Sequence, residues 1–186
     1  EARARLNLNS GNAALLRAVT CAGLYPRVCK AEKVRGKDSS YEKLSVGPTW
    51  QQVWMHPSSI CSSDSQRLVG NTPQDGWYVF EQKFETSRLF VRETTRASPH
   101  ALLLFGAKAD EISIEKVVQT GAVELAAAGL KIRTDKETAM LLKLLQQELA
   151  KLFLMKAKDP SAVIGERGGA VVSTVVTLLG RGGKGL

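Results

Sequence analysis

The sequence predicts a mainly β protein with flanking helices: a small barrel preceded by a short helix and followed by a long C-terminal helix. Three observations carry this reading. Short β-branched and aromatic segments follow one another, "RVCKAEKV", "TWQQVWMHP", "WYVFEQKF" and "RLFVRETT", with loops rich in Gly, Ser, Asn and Asp between them. One amphipathic stretch precedes them. Beyond residue 134 the apolar spacing becomes that of a long helix.

The lead-in helix lies in "GNAALLRAVTCAGLYP", with Leu15, Leu16, Val19 and Ala22 as its apolar side. Asn12 is placed to cap its first turn, and Gly23 with Pro26 ends it. Residues 35–49, which hold Gly36, Asp38, Ser39, Ser40, Gly47 and Pro48, read as a polar loop, and 58–76 as a second one. The strands "WYVFEQKF" and "RLFVRETT" form a hairpin that turns at Glu85 to Ser87. Ser98-Pro99 breaks the pattern before the apolar "ALLLFG".

Further on, "ISIEKVVQTGAVELAAAGLKIR" admits two or three more strands, although "AVELAAAG" reads equally well as helix. The firmest element is "TDKETAMLLKLLQQELAKLFLMKAKDP". Thr134 and Glu137 read as a capping box, and Met140, Leu141, Leu144, Leu145, Leu149 and Leu152 share one broad face. Asp159-Pro160 stops it. The resulting division is a lead-in helical segment at 1–30, a barrel at 31–106, a strand and helix extension at 107–160, and a Gly-rich, partly mobile tail at 161–186.

With 26 Lys and Arg against 18 Asp and Glu in 186 residues, the formal net charge is +8, which favours a polyanionic partner. Three cysteines, Cys21, Cys29 and Cys61, form no CxxC pair, so a reducing intracellular compartment, nucleus or cytoplasm, is expected. The apolar run "AVVSTVVTLL" is about half of the ~20 residues that a membrane span needs. The start "EARARLNLNS" has no apolar stretch behind its arginines, and the absence of an initiating Met fits a piece of a longer protein.

Catalytic chemistry finds no frame. The two histidines, His56 and His100, sit in no nucleophile motif and advertise no metal site; His56 before Pro57 reads as a strand-end residue satisfied by a backbone partner. Cys21 reads as a small buried hydrophobe. A phosphate-loop signature, G-x-x-x-x-G-K-[ST], is absent. The tail "GRGGKG" matches G-x-G-x-x-G only formally, since no helix follows to receive a pyrophosphate. Two readings remain for that tail, a disordered end or an Arg/Gly segment touching RNA backbone.

The hairpin is the candidate site. Lys83, Arg88, Arg92 and Arg96, with Thr86 and Ser87 at the turn, would supply charge and hydroxyl donors to a phosphodiester chain, with Trp77, Tyr78 or Phe90 for stacking bases. The competing reading is a solvated face whose arginines pair with Glu81, Glu85 and Glu93.

The succession AGLYP at Ala22–Pro26, HPSS at His56–Ser59, K-x-x-TS-x-LFVRE-T at Lys83–Thr94 and SP-x-x-LLLFG at Ser98–Gly106 resembles the oligonucleotide-binding-fold region of DEAH/RHA-type ATP-dependent RNA helicases. The likeness covers residues 12–106 and weakens after Gly106, although "GLKIRTDKETAMLLKLLQQELAKLFL" is similar to the family's last strand and following helix. The resemblance implies an OB-fold-like barrel that follows two RecA-like motor domains and a helical ratchet region and closes over the RNA channel, so that residues 1–30 would end that ratchet. It implies RNA-backbone contacts at Lys83, Thr86 and Ser87, whereas Arg88, Arg92 and Arg96 enter from charge alone. ATP and Mg are expected in the motor domains, none of whose motifs occurs here, and the chain alone is expected to be non-catalytic. The expected function is an accessory module that holds single-stranded RNA where it enters or leaves the motor. The alternative is a protein-interaction platform, since in some relatives the same surface receives regulatory proteins.

Overall fold

Along β1 (Val28–Arg35) and β4 (Gly76–Glu85), successive side chains enter two different cores, because a strand alternates its faces. Cys29 and Tyr78, register partners, point into a barrel interior shared with Ala31, Leu44, Val46, Val53, Phe80 and Val91. Val28 and Val79, the adjacent pair, point outward into a second core built mostly by helices. This is the architecture of the computed structural model, which describes residues 7–35, 40–62, 76–106 and 111–180.

With β2 (Ser40–Val46), β3 (Gln51–Met55) and β5 (Leu89–Ala97), the two strands close a barrel in the order β1-β2-β3-β5-β4. Neighbours run antiparallel except β3 and β5, which pair in parallel through Trp54–Phe90 and Met55–Val91. On the outer face of this barrel, against β4 and β5, packs α1 (Ala13–Leu24), and the helical core is built on it by α2 (Pro99–Gly106), α3 (Ile114–Thr120), α4 (Lys136–Lys158) and α5 (Glu166–Gly180). Between α3 and α4, β6 (Ala122–Leu125) and β7 (Leu130–Arg133) form a small hairpin around the 3-10 turn Ala126–Ala128. Leu102, Leu103 and Leu125 are fully buried in the helical core, each contributing about 1.5–3 kcal/mol. Among the described residues no helix is long and apolar enough to cross a membrane.

Several sequence expectations are met. Asn12 caps α1, its Oδ1 accepting from the backbone N–H of Ala14 and Leu15. Cys21 is fully buried, and burial pushes its thiol up to about 12, far from a reactive thiolate. His56 follows β3, and its Nδ1 accepts from the Ser58 backbone N–H.

Others are corrected. Residues 40–46 are strand β2, not polar loop, because only every second residue needs to be apolar: Leu44 and Val46 fill the barrel while Ser45 faces out. The barrel strands end at Ala97, and "PHALLLFG" is helix α2, buried at six of its eight positions. The segment 111–133 does hold two strands, as expected, but it opens with a helix, α3, capped by Ser113. The cap of α4 is Asp135, whose Oδ1 accepts from Thr138 N–H at 2.8 Å, so Thr134 and Glu137 do not form the capping box.

The buried face of α4 carries Ala139, Leu142, Gln146 and Leu149, leaving Met140, Leu141 and Leu144 exposed. Gln146 takes a core position because its amide donates to the carbonyls of Leu103 and Leu104. Likewise α1 buries Ala18 and Cys21 and exposes Leu16 and Val19. Within the expected tail, residues 166–180 are helix α5, which buries Val175 and Leu179. Gly168 lets it approach α4, since a Cβ there would lie 2.9 Å from Leu152 Cδ2. The segment "GRGGKG" lies outside the described residues except for Gly180.

Candidate nucleic-acid interface

β4 is buried from Tyr78 to Phe80 and exposed from Glu81 to Lys83, so its far half faces solvent while the partner strand β5 keeps Val91 in the barrel interior. The ladder runs from Trp77–Ala97 to Glu85–Leu89 and leaves Thr86, Ser87 and Arg88 as a three-residue tip, all exposed, with the Thr86 N–H donating to the Arg88 carbonyl. Lys83 is exposed three residues before Thr86. Thr86, Ser87 and Arg88 are thus gathered at the tip, while Lys83 stands on the strand before it, on the face it shares with Val91.

Arg92 belongs to the other face of the same hairpin. Lys83 pairs with Val91 and Gln82 with Arg92, and neighbours along a strand point to opposite sides. On that second face Arg92 Nε donates to Gln82 Oε1 at 2.8 Å, and its guanidinium sits 5.6 Å from the Phe84 ring centre. Phe84, Phe90 and His56 form an aromatic cluster there, with Phe84 and Phe90 stacked at 6.0 Å. Arg88 folds back over Trp54 at 5.0 Å, a cation–π contact that positions the tip. Arg96 is eight residues beyond Arg88, about 25 Å along the strand, beside Gly76 and opposite Tyr78. It is not part of the tip. Tyr78 is buried in the barrel and cannot stack on a base, whereas Trp77 and Phe90 are half-buried.

β5 is distorted one residue beyond Arg92. Glu93 adopts a left-handed φ of 54°, which lets Val91 and Thr94, three positions apart, both point inward. Thr94 is tied down by Ser59, its Oγ1 lying 2.7 Å from Ser59 Oγ and its N–H donating to the same oxygen. Glu93 itself is turned to Glu81. The hydrogen bond between the two carboxyls, and after it the repulsion of Glu93's charge, holds the Glu81 carboxyl above its ordinary range.

One residue that sequence reasoning missed is Arg27. Its Nη1 donates to the Glu81 carbonyl at 2.8 Å, and it lines, with Pro26, Val46, Gly47, Pro48, Phe80, Glu81, Gln82, Lys83 and Ala127, an open groove of about 570 Å³ beside β4. Its signal was its place directly after the AGLYP element, where the chain turns into β1.

A closed five-stranded barrel with a parallel β3–β5 contact and an exposed polar hairpin tip is the build of a small nucleic-acid-binding barrel. The chain belongs to the oligonucleotide/oligosaccharide-binding (OB)-fold family, whose model matches residues 16–109, and the model of the C-terminal domain in RNA helicases matches residues 128–181. It is similar to the DExH-box ATP-dependent RNA helicase DExH1 of Arabidopsis thaliana, 32% identical over 165 residues that make up 89% of this chain and 15% of that protein. It is likewise similar to the ATP-dependent DNA/RNA helicase DHX36 of Homo sapiens, 31% identical over 179 residues, 93% of this chain and 16% of that protein. The putative ATP-dependent RNA helicase DHX57 of Homo sapiens is 28% identical over 192 residues, 93% of this chain and 13% of its own length. The chain thus spans about one sixth or less of the length of these relatives.

Proposed function

We propose that this chain is the nucleic-acid-binding accessory module of an ATP-dependent DEAH/RHA-type RNA helicase and that it holds single-stranded RNA where the strand enters or leaves the motor. The observation that carries the reading is the exposed tip of Thr86, Ser87 and Arg88, with exposed Lys83 on the strand before it lining the Arg27 groove. Cations and hydroxyls in this order grip a sugar-phosphate chain without reading its bases. The names of the relatives support the placement in a helicase.

In this reading the module's action is passive. Lys83 and Arg27 neutralise phosphates, the hydroxyls of Thr86 and Ser87 donate to phosphate oxygens, and Trp54 beneath Arg88 holds the tip in place. ATP and Mg belong to motor domains elsewhere in the longer protein; this sequence contains no phosphate loop to hold them. Such a module works in a reducing compartment, nucleus or cytoplasm.

The test is fluorescence anisotropy of a labelled single-stranded RNA across a salt series, with Lys83→Ala and Arg27→Ala beside the unaltered chain. Salt-sensitive binding that both substitutions weaken supports the reading. Salt-sensitive binding that neither changes refutes it. A second reading, a docking platform for a regulatory protein, is favoured by exposed Met140, Leu141 and Leu144 on α4. It expects Leu141→Glu with Leu144→Glu to abolish partner capture and leave RNA affinity unchanged.

A further inference from the structure

Behind the hairpin groove, on the outward face of β1 and β2, lies a second recess of about 380 Å³ lined by Lys30, Glu32, Lys43, Ser45, Trp50, Trp77, Gly129 and Lys131. The register explains its composition. Lys30 pairs with Ser45 and with Trp77, and Glu32 with Lys43, so these side chains face away from the barrel interior that Cys29, Ala31 and Leu44 fill. Lys131 arrives from β7. Three lysines against Glu32 leave the recess cationic, although Lys30 pairs with Glu32 and Lys131 with Glu124 at its edge.

Trp50 is the unusual member. It is 37% exposed and holds a left-handed φ of 54°, a conformation that turns ordinarily give to glycine or asparagine. A large aromatic residue kept in a costly conformation at the surface points to a use for its ring. The ring leans on Trp77 at 6.1 Å with a 49° tilt, which excludes a base sandwiched between the two. The Lys30 ammonium lies 5.3 Å from the Trp77 ring centre, so Trp77 serves as a backstop and Trp50 offers the free platform.

The two recesses meet at one ridge. The hairpin groove is lined by Gly47, Pro48 and Ala127, and the second recess by Trp50 and Gly129, so the Gly47–Trp50 turn and the Ala127–Gly129 segment stand between them. A strand gripped by Lys83 and Arg27 has only this uncharged ridge to cross before it reaches the lysines of the second recess.

We propose that the Trp50 recess is a second contact for the same single-stranded nucleic acid, with one base stacked on the outward face of Trp50 and the adjoining phosphates held by Lys43 and Lys131. Charge complementarity and the exposed indole select this occupant: bases stack on aromatics regardless of sequence while lysines track the backbone. The proposal rests on the hairpin reading for the path of the strand.

The experiment uses the 186-residue chain and a labelled 12-nucleotide oligouridylate. Trp50→Gly removes the platform at a position where glycine adopts the observed φ freely, so a thermal melt should show the fold kept. Trp50→Phe keeps a ring. The expected results are about a tenfold loss of affinity for Trp50→Gly, a similar loss for Lys43→Ala with Lys131→Ala, and little change for Trp50→Phe, with the loss from Lys83→Ala adding to these. Binding unchanged in Trp50→Gly but weakened in Lys83→Ala overturns the recess and leaves the hairpin. Binding weakened in Trp50→Gly but unchanged in Lys83→Ala leaves the recess as a contact and overturns the hairpin reading. A chain that binds with every substitution as the unaltered one does overturns both.

Discussion

Gly47 passes so close to the Ala128 carbonyl that a Cβ on Gly47 would overlap its oxygen, and Gly129 in turn lies against Pro48. Through this contact the β2–β3 turn of the barrel is seated on the C-terminal extension. Gly47→Ala should therefore force the two segments apart at a cost of about 1–3 kcal/mol. For a chain of this length that lowers the melting temperature by several degrees, measured by circular dichroism. An unchanged melting temperature would show that the turn does not abut the extension.

The split of the cationic residues between hairpin tip, second face and distant strand end predicts unequal effects on RNA binding. Lys83→Ala should reduce the slope of log affinity against log salt by about 0.7, the loss of one phosphate contact on a single strand. Arg96→Ala should leave that slope alone. Equal losses from both would mean that the strand runs the length of β5.

Arg92→Ala should act on structure before it acts on binding. It removes the bond to Gln82 and the contact over Phe84, so the aromatic cluster with Phe90 and His56 loosens. Amide hydrogen exchange in residues 82–92 should accelerate, while the salt slope stays close to that of the unaltered chain.

Glu81 and Glu93 set a pH dependence. Because the folded Glu81 carboxyl is raised by Glu93, its favourable contribution is fully present below the ordinary glutamate range and is lost as pH rises through the raised value. Glu93→Gln should return Glu81 toward an ordinary titration, followed by NMR of the glutamate side-chain carboxyl carbons. An unmoved Glu81 titration would show that the two carboxyls do not share a proton.

Asp135 works in the opposite sense. The Thr138 backbone N–H and then its hydroxyl hold the Asp135 carboxyl below its ordinary range, so the stabilisation is present above the unfolded value and disappears as pH falls through the folded one. Asp135→Ala should lower the melting temperature at neutral pH and narrow the gap to the unaltered chain in acid, both read from thermal melts. A gap independent of pH would count against a charged cap.

Much of this was written in the chain. Asn12, the strands around Val28, Val53, Val79 and Val91, and the long helix before Asp159 all follow from local propensities and spacings, and the ordered elements from AGLYP to LLLFG identify the family. Strand β2 did not, because two inward residues among polar ones are too few to distinguish a strand from a loop until β1 and β3 supply its hydrogen-bond partners. The helix faces also misled: α4 holds leucines all round, and only the carbonyls of Leu103 and Leu104 give Gln146 a buried place.

By itself, then, the sequence determined the kind of protein, its order of elements and the presence of a cationic hairpin, since these depend on neighbours along the chain. The tertiary structure decided which cations share a surface. Lys83 and Arg92 are parted by the pleat, and Arg96 is set apart from the tip by the length of a strand. Trp50, Lys43 and Lys131 are gathered from three separate segments because closing the barrel seats the Gly47 turn on Ala128, an arrangement that depends on packing between residues some eighty positions apart.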